Sequence, residues 1–288
     1  MMSCKSLLIN LTPYGLIKLF DRAQPYVGFC SSGLMNGLER YQILKKNKTY
    51  KNIHEGQRCF IVGNAPSINE LDLSLLCGET VFSVSSGYHH PLYGTYKPKY
   101  HCLPQLTYTH LFTEQVAIEW FKEMHEALGD AELFLSTWEY DLVRRHGLFP
   151  GRRVNYVALR KDMLVGKVHI DLSGLIYRVQ SVPVMALQIA LFMGFKEIYI
   201  IGCDHDNLRT GVYHYFYEPT VLKNKDASVD PKGGAMSFSQ DLHSLSILFQ
   251  QYSRMKEMAK SLGCHIVNAS PTGNLDIFDR VPFQDIWK

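Results

Sequence analysis

The side chains able to do chemistry gather in three short stretches, each following an apolar run. Gly202-Cys203-Asp204-His205-Asp206-Asn207 follows Ile198–Ile201. Gly63-Asn64-Ala65-Pro66-Ser67 follows Arg58–Val62, and Asn268-Ala269-Ser270-Pro271-Thr272-Gly273 follows His265–Val267. In the first stretch, Asp204 and Asp206 have the D-x-D spacing with which two carboxylates share a divalent cation with diphosphate oxygens. Asp204 alone could instead accept hydrogen bonds from backbone donors and shape its loop, or contact a substrate together with His205. These three readings stay open. In the second stretch, a Gly-Asn turn entering a helix N-terminus offers backbone N–H groups to an anion, and Ser67 with Glu70 has capping-box spacing. A general base could come from His243, near the start of a long helix, or from His214, in an aromatic run. A neutral imidazole can accept a hydroxyl proton near neutral pH.

Such stretches need strands that end at a common edge. Apolar residues at Val184, Leu187, Ile189, Leu191 and Phe192 recur at helical spacing, so Ser181–Met193 reads as a largely buried helix. Ser181 suits its N-cap, Pro183 its first turn, and Gly194 the C′ position. Lys196 and Glu197 then turn the chain into the strand Ile198–Ile201, completing the second half of a crossover unit in a parallel sheet. Ligands of open α/β sheets bind beyond the carboxyl ends of strands. If Arg58–Val62 and Ile198–Ile201 are neighbours, their loops form one crevice.

Further strands are predicted at Thr80–Val84, with Ser85-Ser86-Gly87 as exit loop, and at Tyr100–Leu103, Glu132–Leu135 and Asn155–Leu159. Helices are predicted at Gln115–Leu128 and at Phe238–Leu262, the latter capped by Gly263, and Asp171–Arg178 leads into the central helix. Residues 208–236 form a polar and aromatic insertion containing Tyr213, His214, Tyr215, Phe216 and Tyr217. Its length without a clear period marks a functional lid or a disordered stretch. The fold class is therefore α/β: a Rossmann-like, mostly parallel sheet with helices on both faces, a lid-like insertion and an N-terminal amphipathic arm. Residues 1–50 are the arm and a basic linker, and residues 51–288 the catalytic domain. The arm either covers the core or lies in a membrane interface through residues 1–22.

At 288 residues the chain can bury a large core, and a formal charge of +3 with no aromatic-interleaved basic block gives no reason to expect nucleic acid. Five basic residues between Arg144 and Arg153 read as a solvated loop or as a face for an acidic substrate. Seven scattered cysteines without a C-x-x-C pair imply neither a disulfide framework nor a zinc ribbon, and point to a reducing compartment. No run approaches the length of a transmembrane helix, and no signal-peptide pattern opens the chain. There is no dinucleotide-binding glycine fingerprint, P-loop, nucleophile elbow or H-E-x-x-H.

GNAPS after the first strand, MGFKEIYIIGCDH in the middle and GCHIVNASPTGNLDIF near the end resemble the bacterial MptE-like family, domain-of-unknown-function 115. More remotely they resemble the sialyltransferases of glycosyltransferase family 42. That resemblance implies a metal-independent, inverting, sialyltransferase-like glycosyltransferase. It would move a sialic-acid- or Kdo-like sugar from a CMP-activated donor to a bacterial surface glycan, with no added cofactor. It implies donor contacts from Gly63, Asn64, Ala65 and Ser67, from Ser85 and Ser86, from Ser181, and from Gly202, His205, Tyr213 and Tyr215. His243 would be the base, with His214 second and Asp204 beside them. Ala65 stands where the sialyltransferases have Gly, and Ser85-Ser86 where they have a nucleotide-binding Asn. Other MptE-like proteins transfer pyrophosphate from ATP with magnesium, which would make Asp204 and Asp206 metal ligands (Mg or Mn). A non-catalytic nucleotide-binding protein is the third expectation. The expected setting is cytoplasmic, at the inner face of the membrane, with a homo-oligomer left open.

Overall fold

The computed structural model describes residues 34–103, 113–159, 170–206, 208, 214–217 and 237–288. The proposed membrane arm 1–22, Tyr213 and most of the insertion lie outside these residues. In chain order the first elements are helix α1 (Leu34–Lys46), strands β1 (Arg58–Val62) and β2 (Val81–Val84), the short helix α2 (Tyr93–Tyr96) and β3 (Tyr100–Cys102). Then come α3 (Glu114–Ala127), β4 (Glu132–Ser136), α4 (Tyr140–Arg145), β5 (Val154–Leu159) and β6 (Leu175–Ile176). The last are α5 (Val182–Met193), β7 (Glu197–Ile201), α6 (Phe238–Ser261), β8 (His265–Asn268) and β9 (Asp279–Arg280).

The strands among the described residues are all parallel, in the order β6-β5-β4-β3-β2-β1-β7-β8-β9. From β1 the chain steps outward through β2 to β6, then crosses back through α5 to place β7 on the other side of β1. Ile61 is thus flanked by Phe82 on one side and Ile200 on the other. The strand order reverses between β1 and β7, so the two strands expected to share a crevice are neighbours.

Side-chain alternation along β1 explains the two layers. Cys59 and Ile61 enter one core with α5 and α6, while Phe60 and Val62 enter a second core with α3. Helices therefore cover both faces, as expected. All twelve residues of α5 are buried, which fits a helix apolar all round. Its one polar member, Gln188, is satisfied: its amide accepts from the Tyr177 N–H at 2.8 Å and donates to the Tyr177 carbonyl at 3.2 Å. That pair ties the end of β6 to the helix.

Several local expectations change. The turn after β1 is a 3-10 helix, Pro66–Glu70, with Ala65 at its N-cap and no side-chain cap. The Ser67–Glu70 capping box does not form because the Ser67 hydroxyl is drawn elsewhere, to Asp204. A capping box does form on α6, between Ser237 and Gln240. The stretch read as a lead-in to the central helix holds strand β6, and the sheet ends with the unexpected β9. The basic stretch 144–153 is spent on surface pairs and carbonyls. Arg144 reaches Glu39 at 2.9 Å and Arg145 reaches Glu114 at 3.0 Å, while Arg152 donates to the carbonyls of Ala131 and His125. Among the described residues, no helix is long and apolar enough to cross a membrane.

Candidate functional site

The carboxyl ends of β1 and β7 meet backbone to backbone. The Gly63 N–H donates to the Ile201 carbonyl at 2.8 Å and the Ala65 N–H to the Gly202 carbonyl at 3.0 Å. A Cβ on Gly63 would lie 2.2 Å from the Gly202 oxygen. Gly202 has φ +67, and a Cβ there would lie 2.4 Å from Ile68 Cγ2. Only glycine fits either position.

Asp204, two residues on, is buried at 4% exposure and fastens the loops together. Its Oδ2 accepts from the Ser67 N–H at 3.1 Å and its Oδ1 from the Ser67 hydroxyl at 2.5 Å. The start of the turn after β1, where an external anion was expected, is thus answered by the chain's own carboxylate. Burial pushes the Asp204 carboxyl up; the two Ser67 hydrogen bonds oppose this, and the charge of Asp206 adds to it. Asp206 is half-buried. Among the described residues, no group of three or more His, Cys, Asp or Glu is arranged to hold a metal ion.

The loop after β8 completes this corner. The Asn274 N–H donates to the Asp204 carbonyl at 2.6 Å, and the Asn274 amide to the His205 carbonyl at 2.9 Å. Gly273, at φ +98, leaves no room for a Cβ against the Asp204 backbone. Arg280 holds this loop from β9, donating to the carbonyls of Ser270, Thr272 and Gly273 at 2.7, 2.7 and 3.0 Å. Arg280→Met is expected to cost about 1–3 kcal/mol in urea melts. Arg280→Lys should recover little of it, since one ammonium cannot span the fork.

His205 sits in the left-handed region at φ +50. Its Nε2 lies 3.0 Å from the Tyr252 hydroxyl and its ring packs on Phe249 and Tyr252 of α6. Burial lowers its pKa to about 4, so the ring is neutral at pH 7.

At the end of β2, Ser85 is also left-handed, at φ +48. The Asn64 amide donates to the Val84 carbonyl at 3.1 Å, joining the β1 and β2 loops. Asn64 Oδ1 and Ser270 Oγ are buried without a hydrogen-bond partner among the described residues, and the buried Ser86 adjoins Tyr88 and Tyr217. Ser181 occupies the N-cap of α5 as expected, but its hydroxyl does not cap the helix and is buried without a hydrogen-bond partner among the described residues.

Residues 214–217 lie over this edge. The Phe216 N–H donates to the Asn64 carbonyl at 2.9 Å, the Phe216 ring meets His90, and Tyr217 meets His89 and stacks on Tyr215. Gly63, Asn64, Ala65, Ser67, Gly202, Asp204 and His205 are therefore brought together, with Ser85 and Ser86 adjoining through Asn64. His214 is exposed, and His243 is exposed in the second turn of α6; neither enters this contact network.

Sequence reasoning passed over Tyr88, His89 and His90, although they follow a strand exit directly. It also passed over Glu123, Asn274 and Arg280, which carry no local signal. No protein-family model and no curated protein matches the chain.

Proposed function

We propose that this chain is a glycosyltransferase that takes a CMP-activated sugar as donor and a glycan hydroxyl as acceptor, with the nucleotide at the edge between β1, β2 and β7. The observation that carries this reading is that Asn64 Oδ1, at the switch point of the parallel sheet, and the Ser270 and Ser181 hydroxyls, after β8 and before α5, are buried without a hydrogen-bond partner among the described residues. Native structures rarely leave such atoms without a partner, and the switch point is where ligands of this architecture bind. Asn64 Oδ1 can only accept, which suits a nucleobase amine or a ribose hydroxyl; Ser270 and Ser181 can donate to phosphate oxygens. Ser181 also stands at the positive end of α5, which favours a phosphate there.

The likeness of GNAPS and the central and final motifs to the family-42 sialyltransferases supports a cytidine donor. A magnesium-dependent pyrophosphokinase would ask Asp204 to bind metal, yet both its oxygens already serve Ser67.

Thermal denaturation with CMP, CDP, UDP, GDP, ADP and ATP, each with and without magnesium, tests the reading. CMP is expected to stabilise without metal, by about 2.7 kcal/mol at a hundredfold excess over Kd. A response to ATP with magnesium alone would transfer the assignment to the pyrophosphokinase. No response to any nucleotide would leave a scaffold.

A further inference from the structure

A second cluster stands where the 3-10 turn Gly87–His89, at the carboxyl end of β2, meets α3. Trp120 and Glu123 lie three residues apart on α3 and so share one helical face. The Tyr88 hydroxyl accepts from Trp120 Nε1 at 2.9 Å and donates to Glu123 Oε1 at 3.2 Å. His89 Nε2 lies 3.2 Å from the same oxygen. The His89 side chain keeps 20% exposure and Glu123 keeps 35%, so the pair is sheltered but reachable. The Tyr217 ring centroid is 5.5 Å from the imidazole. A Cβ added at Gly87, in the same turn, would lie 3.2 Å from Asn64 Oδ1, so the cluster adjoins that acceptor.

Other imidazoles fit less well. His101 is wholly enclosed, and His243 and His214 are exposed and form no ion pair among the described residues. His146–Glu114 is an exposed surface pair, and His265–Asp279 is exposed at the amino end of β8.

We propose that His89, oriented by Glu123, is the base that takes the proton of the acceptor hydroxyl. The assignment rests on the transferase reading. Nε2 lies beside the Glu123 carboxylate but off the line of a hydrogen bond, so the pairing is electrostatic. The carboxylate's charge favours the tautomer protonated on Nε2, which leaves the lone pair on Nδ1. The hydroxyl proton passes to Nδ1 while the oxygen forms the new bond to the anomeric carbon. The bond from that carbon to the phosphate oxygen breaks, and its electron pair leaves on CMP. Glu123 offsets the positive charge gained by the ring. Burial lowers the His89 pKa and Glu123 partly restores it, so the ring is neutral and able to accept at pH 7. Among the described residues, the titratable groups facing it are Glu123 from α3, Tyr88 in its own turn and Tyr217 from the overlying segment.

The test measures CMP release by the full chain from CMP-N-acetylneuraminate and CMP-Kdo, each with a mixture of glycan acceptors bearing free hydroxyls, together with the CMP-induced rise in melting temperature. His89→Gln is expected to slow CMP release at least a hundredfold while leaving the CMP melting shift intact, and added imidazole should partly rescue His89→Ala. Glu123→Gln, close in shape, should slow release several-fold. It should also move the ascending limb of the pH–kcat profile to lower pH, because the charge that raises the imidazole pKa is gone. A purely structural role for Glu123 would leave that limb in place. His89→Gln within threefold of wild type, in a chain that does release CMP, would overturn the base and leave the transferase standing. A wild-type chain that releases no CMP from either donor would remove the transferase reading and the role of His89 with it.

Discussion

Gly63→Val is expected to leave little native protein, lowering stability by more than about 4 kcal/mol, a loss reserved for a few severe mechanisms. The added Cβ would lie 2.2 Å from the Gly202 oxygen, 2.8 Å from the Gly202 carbonyl carbon and 2.9 Å from Cys203 Sγ. Two of these neighbours are backbone atoms and cannot rotate aside. Relief would require β1 and β7 to part, and their pairing spans Arg58↔Glu197 to Val62↔Ile201. Gly94→Ala is the control: it lies in α2 with nothing within 4 Å of the new methyl, so it should be close to neutral. Urea denaturation of the two variants settles the contrast. A Gly63→Val chain that melts like wild type would mean that the two strand ends are not in contact.

Asp204→Ala is expected to cost about 2–4 kcal/mol, because it strands two buried donors, the Ser67 N–H and hydroxyl, each costing about 1–3 kcal/mol when unpaired. Asp204→Asn should cost under about 1 kcal/mol. Its amide oxygen can accept from the Ser67 N–H, and its NH₂ can donate to the Ser67 oxygen. The charge itself should be dispensable. Burial raises the Asp204 pKa above its ordinary 3.8, so the folded state favours the protonated acid. That contribution is fully present below 3.8 and is lost as pH rises through the native value. The difference in melting temperature between wild type and Asp204→Asn should therefore shift in favour of Asn as pH climbs from about 3.5 to 6. If Asn proves as damaging as Ala, to folding and activity alike, the carboxylate's charge matters, and metal ligation returns as its role.

Much of the scaffold was written locally and could be read that way. The apolar run of α5, its closing Gly194 and the β-branched β7 specify a helix, a left-handed stop and a buried strand without help from distant residues. The two-residue strands β6 and β9 were not legible, because neither is long enough to show alternation. The site was legible only in outline. Its glycines and Asp204 stood out, but the partner of Asp204 lies 137 residues away, and a short helix start at Ser67 satisfies the same local pattern. The Ser-x-x-Gln capping box of α6 was readable and passed over. His89 and Glu123 meet only because α3 packs across the end of β2, and neither position announces the other.

The placement of β7 beside β1 also has a consequence for synthesis. Residue 197, the first of β7, is made 135 residues after residue 62, the last of β1 (197 − 62). At roughly 5–20 residues per second, that gap lasts on the order of ten seconds. Throughout it, β2 can pair with one edge of β1 while the other edge, carrying Cys59, Phe60, Ile61 and Val62, has no partner. Pairing so distant in sequence is slow to find even after the ribosome has released the chain. A nascent chain halted before Ile201 would thus present an open apolar edge to its neighbours on a polysome, where parallel strands from two chains could join in place of β7.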